Sequence, residues 1–444
     1  MTTATALKNK PVTHPLAKDG GTPAFPRMTG SVHPKVGVEE FLAIAARFGF
    51  NPAAMTRLAA AVTDQDLPVG GPHLGRYYGS PQPIQGEQFE ALARELFGVR
   101  YALGVSCGTA ALHCAMVAAG AGPGKEVICP AIGFLATSMA AAMVGATPVF
   151  CDVDESLQMD PAKLAALITP KTVAVVPTHF MGSVCDLDPI LAIARQHGIK
   201  VIEDCAQSPG ATYKGRPVGT LGDIGCFSIS CYKIIGGGEG GMVVMNDELA
   251  FNKARQVAEA GGLWRPERCA KERYPGELFV GANYRLSELE AAINVVQLRK
   301  LAGVVGRYRT VWKSIWEKLQ PVQEITWQKR NDAAGNIGYQ LRFFPRTFEL
   351  GKKIQTALSA EGISTAYRGA GASYDNHLYT GMLPLFRDYA DQCRPELCPV
   401  ACDLFDRCLI INLNQWLSPA DCAAIAEGIN KVLAAYCTPV DRQP

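Results

Sequence analysis

The chain has 444 residues, of which 48% are hydrophobic and 19% are charged, and its formal net charge is +2. This length suits two or three domains, and the composition is that of a globular protein rather than of a disordered chain. The balanced charge, without a basic block, argues against a nucleic-acid-binding protein. No apolar run approaches the roughly 20 residues of a membrane span, and the N-terminus lacks the apolar core of a secretion signal. We therefore expect a cytoplasmic protein that binds neither nucleic acid nor membrane.

Fifteen cysteines are scattered along the chain. In a protein without an export signal we expect them to be reduced thiols. The densest group is Cys393, Cys398, Cys402 and Cys408, whose spacing matches none of the common zinc or iron–sulfur patterns. We interpret these four residues as buried core thiols and predict no metal site.

The first 75 residues are predicted to form an arm and a helical extension. Residues 1–30 are rich in Pro, Lys, Thr and Gly, which is typical of a loose arm. Apolar residues recur at helical spacing within 36–66, and a Gly- and Pro-rich loop follows at 68–86.

From residue 87 onward, helical and strand-like segments alternate. A helix is predicted at 87–98, and short apolar runs predict strands at 101–106, 126–130, 147–153, 172–179, 200–206, 225–230 and 241–246. Helical segments separate the earlier strands. Strands that are apolar on both faces and alternate with helices predict a mostly parallel sheet covered on two sides. We assign this large α/β domain to residues 76–302.

The segment 284–302 predicts a long amphipathic helix. It leads into a smaller C-terminal α+β domain, assigned to residues 303–444, with a strand at 339–344 and helices at 351–361 and 418–436.

The segment CYKIIGGGEGG, residues 231–241, contains one lysine before a run of glycines. Gly236, Gly238 and Gly241 match the letters of the dinucleotide fingerprint, but that motif opens a helix, whereas a strand follows here. A phosphate-binding Walker loop has its lysine after the glycines, and Lys233 precedes them. We therefore predict that the glycines let the backbone pass close beside a lysine that carries a ligand.

Lys233 follows a predicted strand, at the edge where open α/β sheets bind ligands. A partly desolvated lysine there loses its proton near neutrality and condenses with a carbonyl group. Asp204 also ends a predicted strand, and a buried carboxylate needs a cationic partner. The protonated pyridine nitrogen of pyridoxal phosphate (PLP) is such a partner. The alternatives are a surface charge for Lys233 and a loop cap for Asp204.

Three further segments contain groups that could bind the phosphate or the ring of such a ligand. A strand runs into Gly108 and a helix begins near Thr109, so backbone N–H groups with Ser106 or Cys107 would form an anion site. Ser228 could supply another hydroxyl, and Phe134 could stack on a flat ring. Helix capping and core packing are the alternatives for these residues.

Taken together, the sequence from about Gly75 to Leu301 resembles the DegT/DnrJ/EryC1/StrS family. Six ordered blocks carry the resemblance: SCGTAALH, PAIGFLATS, PTHFMGSVCDLD, VIEDCAQSPGATYKGRPVGTLGDIGCFS, Lys233 with GEGG, and GANYRLSELEAA. The segment GGTPAFP at 20–26 is similar to the N-terminal arm of this family. The members are PLP-dependent aminotransferases of sugar and cyclitol biosynthesis with the aspartate aminotransferase fold, fold type I.

The resemblance implies a role for each matching residue. Lys233 would carry PLP covalently, and Asp204 would pair with the pyridine nitrogen. Gln207 would lie near the phenolic oxygen of the ring, and Phe134 would stack on the ring. The phosphate would be held by Gly108, Thr109 and Ser228, with Cys107 as a weaker donor where serine is frequent. Asn283 would reach the cofactor of a second subunit, which implies a homodimer with shared sites.

The chain departs from the family at the predicted acceptor side of the site. Ile132 stands where the family has a tyrosine, and residues 364–382 replace a short HYP-type loop. We therefore expect a changed wall facing the acceptor. The candidates for contacts to the donor carboxylate or acceptor hydroxyls are His179, Arg342, Arg368 and His377, each of which could instead be an ordinary surface or packing residue.

The implied activity is transfer of an amino group from glutamate or glutamine to a carbonyl acceptor. The acceptor would be the keto or aldehyde group of a sugar, sugar acid, nucleotide sugar or cyclitol. The alternatives are dehydratase or other non-transaminase chemistry on the same fold, and a non-catalytic PLP-binding regulator. The presence of Lys233 argues against the dehydratase relatives in which histidine replaces the lysine. The sequence also contains no recognisable DNA-binding segment, which argues against a regulator.

Overall fold

The computed structural model describes residues 15–25, 35–68, 71–72, 74–75, 84–262, 278–370, 377–382 and 385–440. Part of the predicted arm, part of the 68–86 loop and residues 371–376 of the acceptor-side segment 364–382 lie outside the described residues. The chain divides into two compact units, Met1–Leu74 and Gly75–Pro444. None of the described helices is both long enough and apolar enough to cross a bilayer.

The smaller unit contains the two helices α1 (Val38–Arg47) and α2 (Pro52–Ala61). The backbone N–H of Gly37 donates to the Glu40 carboxylate at 2.7 Å at the start of α1. Asn51 caps α2 by accepting a hydrogen bond from the Ala54 N–H at 2.9 Å, and Pro52 occupies the first helical position, as expected at a helix start. The predicted helical content of residues 36–66 is confirmed.

Within its described residues, the larger unit contains the remaining elements. The helices are α3 (Gln85–Phe97), α4 (Gly108–Ala118), α5 (Ala136–Met143), α6 (Pro161–Leu164), α7 (Leu187–His197), α8 (Glu248–Ala258), α9 (Glu288–Trp316), α10 (Phe348–Ala360), α11 (Pro399–Arg407) and α12 (Pro419–Tyr436). The strands are β1 (Tyr101–Val105), β2 (Glu126–Pro130), β3 (Thr147–Cys151), β4 (Thr172–Val175), β5 (Lys200–Asp204), β6 (Thr212–Tyr213), β7 (Arg216–Pro217), β8 (Ile224–Ser228), β9 (Gly241–Met245), β10 (Ile325–Trp327), β11 (Gln340–Pro345), β12 (Thr365–Tyr367) and β13 (Leu409–Asn412).

The central sheet has the strand order β1-β9-β8-β5-β4-β2-β3. Strands β8, β5, β4, β2 and β3 pair in parallel, whereas β9 is antiparallel to both of its neighbours, β1 and β8. Separate hydrophobic clusters cover its two faces, one including residues of α4 and α5 and the other residues of α3, α7 and α9. The predicted α/β class with a mostly parallel, doubly covered sheet is confirmed.

The cysteines at the C-terminal side pack into this core. Cys393, Cys398 and Cys408 are buried members of the first cluster, and the half-buried Cys402 packs against it. Their interpretation as core thiols is confirmed.

Helix α9 runs well beyond its predicted end at residue 302. Its first half packs Leu298 and Leu301 against the central sheet, and its second half packs Val311 and Ile315 into a separate core. That core belongs to an antiparallel sheet of order β10-β11-β13-β12, with α10 and α12 packed on it. The boundary assigned at 302/303 therefore falls inside one continuous helix, because each of its halves serves a different core.

Candidate active site

Lys233 lies in the loop that connects β8 to β9. Buried Ile229 and Ile235 anchor the loop on either side of it, and the Lys233 N–H donates to the Ser230 carbonyl at 3.0 Å. The Lys233 side chain is half-buried, and this burial lowers the pKa of its amine, whereas the nearby carboxylates of Asp204 and Glu239 act to raise it. The amine is thus closer to its neutral, nucleophilic form than that of an exposed lysine.

The glycines after Lys233 allow this loop to fold back on itself. A Cβ on Gly236 would lie 2.2 Å from the Ser230 carbonyl oxygen. On Gly237 it would lie 2.4 Å from the Ile293 side chain, and on Gly238 it would lie 2.6 Å from a Glu290 carboxylate oxygen. The close approach that we predicted is present, but the described contacts are with the loop backbone and with α9.

Asp204 ends β5 with its side chain only 3% exposed. One carboxylate oxygen accepts a hydrogen bond from Thr137 Oγ1 at 2.6 Å, and the other accepts from the Ala206 N–H at 3.0 Å. Within the described part of the chain Asp204 forms no ion pair with a cationic side chain. A buried carboxylate with only neutral donors is stabilised when a cationic group binds beside it.

Thr137, which hydrogen-bonds to Asp204, is a candidate site residue that the sequence analysis missed. It lies in the first turn of α5, within the same block PAIGFLATS that contains Phe134. A hydroxyl at a helix start after a strand was the available signal, but its partner lies 67 residues away along the chain.

The start of α4 meets the end of β8. A Cβ on Gly108 would lie 2.7 Å from the Cβ of Ser228, so only glycine permits this approach. Thr109 follows as the second helical residue. The Cys107 sulfur caps the helix by accepting a hydrogen bond from the Ala110 N–H at 3.4 Å. The structure therefore brings together the backbone and hydroxyl groups that were predicted as an anion site.

Gln207 is buried beside a strained turn. Its side-chain oxygen accepts a hydrogen bond from the Met181 N–H at 2.9 Å, and its carbonyl accepts one from the Tyr339 hydroxyl at 3.2 Å. Met181 has φ 52°, a left-handed conformation that is costly for a residue with a side chain. Such a conformation persists only where surrounding contacts fix it, and Gln207 supplies one of them.

Phe134 lies close to residues of the segment 364–382. Ile132 forms an isolated antiparallel bridge with Leu378, and the Gly133 N–H donates to the His377 carbonyl at 2.9 Å. The rings of Phe134 and His377 lie 5.6 Å apart between centroids, and Phe134 remains 41% exposed. Of the four candidate substrate contacts, His377 is the one whose ring lies beside the ring of Phe134.

His179 is not accessible to a substrate. Its side chain is 0% exposed, and its Nδ1 accepts a hydrogen bond from the Cys185 N–H at 3.1 Å. Its Nε2 therefore carries the proton and donates to the Glu203 carboxylate at 3.1 Å. With both ring nitrogens engaged, the expected substrate contact is corrected to a structural one.

The two candidate arginines are also held by protein groups. Arg342 is buried on β11 and donates to the side chains of Gln328 and Gln340 and to the Met181 carbonyl. Arg368 pairs with Asp406 at 2.9 Å.

Glu203 organises the turn that follows β7. Its buried carboxylate accepts hydrogen bonds from the N–H groups of Gly219, Leu221 and Gly222 at 2.6–2.7 Å, in addition to the bond from His179. The buried negative charge of Glu203, which precedes Asp204 in β5, is therefore stabilised by four hydrogen-bond donors.

Replacing Glu203 should destabilise the fold. We expect Glu203→Ala to lower the free energy of unfolding by about 3–5 kcal/mol, because three N–H groups and His179 would lose their acceptor. Chemical denaturation of the purified protein measures this change. Exposed Glu349→Ala is the matched control and should leave the free energy of unfolding nearly unchanged. Equal midpoints for the two variants would contradict the role of Glu203.

Asn283 is exposed in the segment that leads to α9, where its side-chain oxygen accepts a hydrogen bond from Arg285 Nε at 2.9 Å. The next residue, Tyr284, is fixed from two sides. Its carbonyl accepts from the Ser106 N–H at 2.7 Å, and its hydroxyl lies 2.8 Å from Nδ1 of His113. The side chain of Asn283 is thus exposed, while the contacts of Tyr284 fix the neighbouring backbone.

Comparison with known proteins places this geometry in a family. The sequence model of the DegT/DnrJ/EryC1/StrS aminotransferase family matches residues 84–430. A UDP-N-acetyl-3-dehydro-alpha-D-glucosamine 3-aminotransferase from Acidithiobacillus ferrooxidans is 36% identical over 355 residues, which are 79% of this chain and 89% of that protein. A GDP-perosamine synthase from Caulobacter vibrioides is 44% identical over 215 residues, 48% of this chain and 56% of that protein.

A solved structure supports the same assignment. The crystal structure of an aminotransferase from Psychrobacter cryohalolentis superposes with a TM-score of 0.68 at 27% sequence identity, covering 82% of this chain and 100% of that one. The fold-type-I architecture, the enzyme class and its dependence on PLP are confirmed by these relationships. The chain belongs to the DegT/DnrJ/EryC1/StrS aminotransferase family.

Proposed function

We propose that the protein transfers the amino group of glutamate or glutamine to the keto or aldehyde group of a sugar, sugar acid, nucleotide sugar or cyclitol. One observation carries this proposal. A half-buried amine with a lowered pKa, that of Lys233, lies at the same edge of the sheet as Asp204, a buried carboxylate without a cationic partner in the described residues.

The residues at this edge fit PLP. Asp204 would stabilise the protonated ring nitrogen, which would supply the missing positive charge. Gln207 would lie beside the phenolic oxygen, and Phe134 would cover one face of the ring. The phosphate would bind at the N-terminus of α4, where Gly108 and Thr109 present N–H groups that lack intrahelical acceptors, with Ser228 opposite.

When bound, PLP supplies an electron sink that stabilises negative charge on the substrate carbon that loses a proton. Lys233 would hold the cofactor and, once released, carry that proton as general base and then as general acid. Its burial favours the neutral amine that the first of these tasks requires. Asp204 would keep the ring nitrogen protonated, and Thr137 would fix the orientation of the carboxylate.

The acceptor side of the site is proposed to differ from that of relatives with a short HYP-type loop. Ile132, at the position of the family's tyrosine, forms a bridge with Leu378, and the ring of His377 lies 5.6 Å from that of Phe134. We propose that His377 contacts an acceptor hydroxyl. In this arrangement residues 76–302 carry the cofactor, residues 303–444 complete the acceptor wall, and residues 1–75 form the N-terminal extension.

We further propose a cytoplasmic homodimer with shared sites. Large apolar side chains near Lys233 and along α9 are exposed in the single chain, namely Tyr232 at 90%, Leu289 at 46% and Val296 at 45%. A second copy would bury them and would receive Asn283 at its cofactor phosphate. A cytoplasmic location suits the fourteen described cysteines, which are all free thiols.

Shared sites predict complementation between inactive subunits. Asn283→Ala and Lys233→Ala proteins, mixed and allowed to exchange subunits, should regain activity, because one of the two sites in a mixed dimer is intact. Transamination assays before and after mixing measure the recovery. Monomers by light scattering, or no recovery despite exchange, would refute the shared site.

The activity itself is tested by a substrate screen. Keto-sugars, keto-inositols and oxo-sugar acids are incubated with glutamate or glutamine, and mass spectrometry detects the aminated product. Formation of 2-oxoglutarate together with an aminated acceptor supports the aminotransferase. Loss of water from the acceptor without amination would favour the dehydratase alternative, and PLP binding without turnover would favour a regulator.

A further inference from the structure

A cavity lies apart from the Lys233 loop. It has a volume of about 390 Å³ and is lined by the second half of α9, the end of β10, residues 328–338, the start of β11 and the turn at Met181–Ser183. A volume of this size accommodates a small-molecule ligand. The proposed transamination makes no use of this space.

Three indole rings form its apolar wall. Trp312 and Trp316 are stacked with centroids 4.9 Å apart, and Trp327 meets Trp316 edge-on at 5.2 Å. Half-buried indoles that line a cavity offer flat surfaces for a planar ring.

Three guanidinium groups line the same cavity. Arg330 lies over the Trp312 ring at 3.8 Å, Arg309 donates to the carbonyls of residues 335 and 336, and Arg342 donates only to neutral oxygens. None of the three forms an ion pair with a carboxylate in the part of the chain that the structure describes. Burial lowers the pKa of Arg330 and Arg342, as expected for positive charges that are removed from water without a carboxylate partner.

The acidic groups nearby do not neutralise these arginines. Glu317 at the rim lies 3.7 Å from Lys313, and Asp332 acts on Arg309 only beyond ion-pair distance while its carboxylate accepts backbone N–H groups. The cavity therefore carries an excess of positive charge, which an anionic ligand would offset.

The cavity is preformed. Lys329 pairs with Asp154 at 2.6 Å, and Asn331 and Asn336 hydrogen-bond to the Val184 backbone. Gly338 has φ 84°, and a Cβ there would lie 2.8 Å from the Trp312 Cβ, so glycine is required where the wall meets α9. These contacts hold the loop 328–338 against the residues that pack on it.

We infer that this cavity is a binding site for a planar anion, an aromatic ring that carries a phosphate or a carboxylate. The ring would lie against the indoles, and the anionic group would be bound by Arg330 together with Arg309 or Arg342. Met181 links the site to the candidate active site, because its carbonyl accepts from Arg342 and its N–H donates to Gln207. This inference does not depend on the proposed acceptor.

Tryptophan fluorescence of the PLP-loaded protein tests the inference. Three of the five tryptophans of the chain line the cavity, so a ligand there should quench emission in a saturable way. The probes are GMP, 4-hydroxybenzoate and inorganic phosphate. Saturation by GMP alone identifies a nucleoside phosphate, and saturation by 4-hydroxybenzoate alone identifies an aromatic carboxylate. Inorganic phosphate should bind at least tenfold more weakly than the better ring-bearing probe.

Variants locate the bound probe. Arg330→Gln should weaken binding by about tenfold or more, since a hydrogen bond to a charged group is lost. Lys313→Glu, at an exposed rim position, should weaken it severalfold by placing a negative charge there. Exposed Arg195→Gln on α7 is the control and should bind as the parent does. No saturable quenching by either ring-bearing probe, equal affinity in Lys313→Glu and the control, or phosphate binding as tightly as GMP would overturn the inference.

Discussion

Lys233→Ala should abolish covalent attachment of PLP and lower the rate of amino-group transfer by at least about a thousandfold, within the range expected for loss of a positioned general base. We expect this loss because the loop between β8 and β9 contains no second lysine that could bind the cofactor or carry the proton. Absorbance of the purified protein and its response to borohydride report the covalent link, and single-turnover assays with glutamate report the transfer.

The control for this variant is Lys171→Ala, which removes an exposed lysine in the turn before β4. It should retain the parent's absorbance and rate. Attachment of PLP should also persist to lower pH than for a solvent-exposed lysine, because burial lowers the pKa of Lys233 and leaves more neutral amine at a given pH. Retention of the borohydride-sensitive band in Lys233→Ala would contradict the assignment.

Asp204→Asn should weaken PLP binding and slow the half-reaction with glutamate by at least about a hundredfold. The substitution keeps the size of the side chain but removes the charge that would stabilise the protonated ring nitrogen, and a hydrogen bond to a charged group contributes about 1.5–3 kcal/mol before any electronic effect on the reaction. Cofactor titration and single-turnover kinetics measure the two effects separately.

Thr137→Val tests the orientation of the Asp204 carboxylate separately from its charge. It removes the 2.6 Å hydrogen bond to Asp204 while leaving the carboxylate in place, so its effect on the half-reaction should be smaller than that of Asp204→Asn. If Asp204→Asn reacted at the parent's rate, the carboxylate would not be the partner of the ring nitrogen.

The predictions that held were those that depend on local pattern. Alternating apolar runs and helical segments specified the strands of the central sheet, and strand ends placed Lys233 and Asp204 at its edge. The length of α9 was underestimated because its apolar face turns from one core to another, and such a change in periodicity resembles the end of a helix.

The substrate candidates were the least predictable part of the site. His179, Arg342 and His377 are all polar residues able to bind a carboxylate or a hydroxyl, yet only His377 has its ring beside that of Phe134. The other two satisfy buried partners, Glu203 for His179 and neutral oxygens for Arg342, that are distant in sequence. Residue type alone does not distinguish a ligand contact from a buried hydrogen bond.

By itself the sequence determined the order of the elements, the fold class and the two candidate residues Lys233 and Asp204, since periodicity and strand ends are properties of neighbouring residues. Only the tertiary structure decided that Thr137 holds Asp204, that Gly108 meets Ser228 and that Leu378 pairs with Ile132. Each of these contacts joins residues far apart along the chain, and its geometry follows from how the helices and loops pack on the finished sheet.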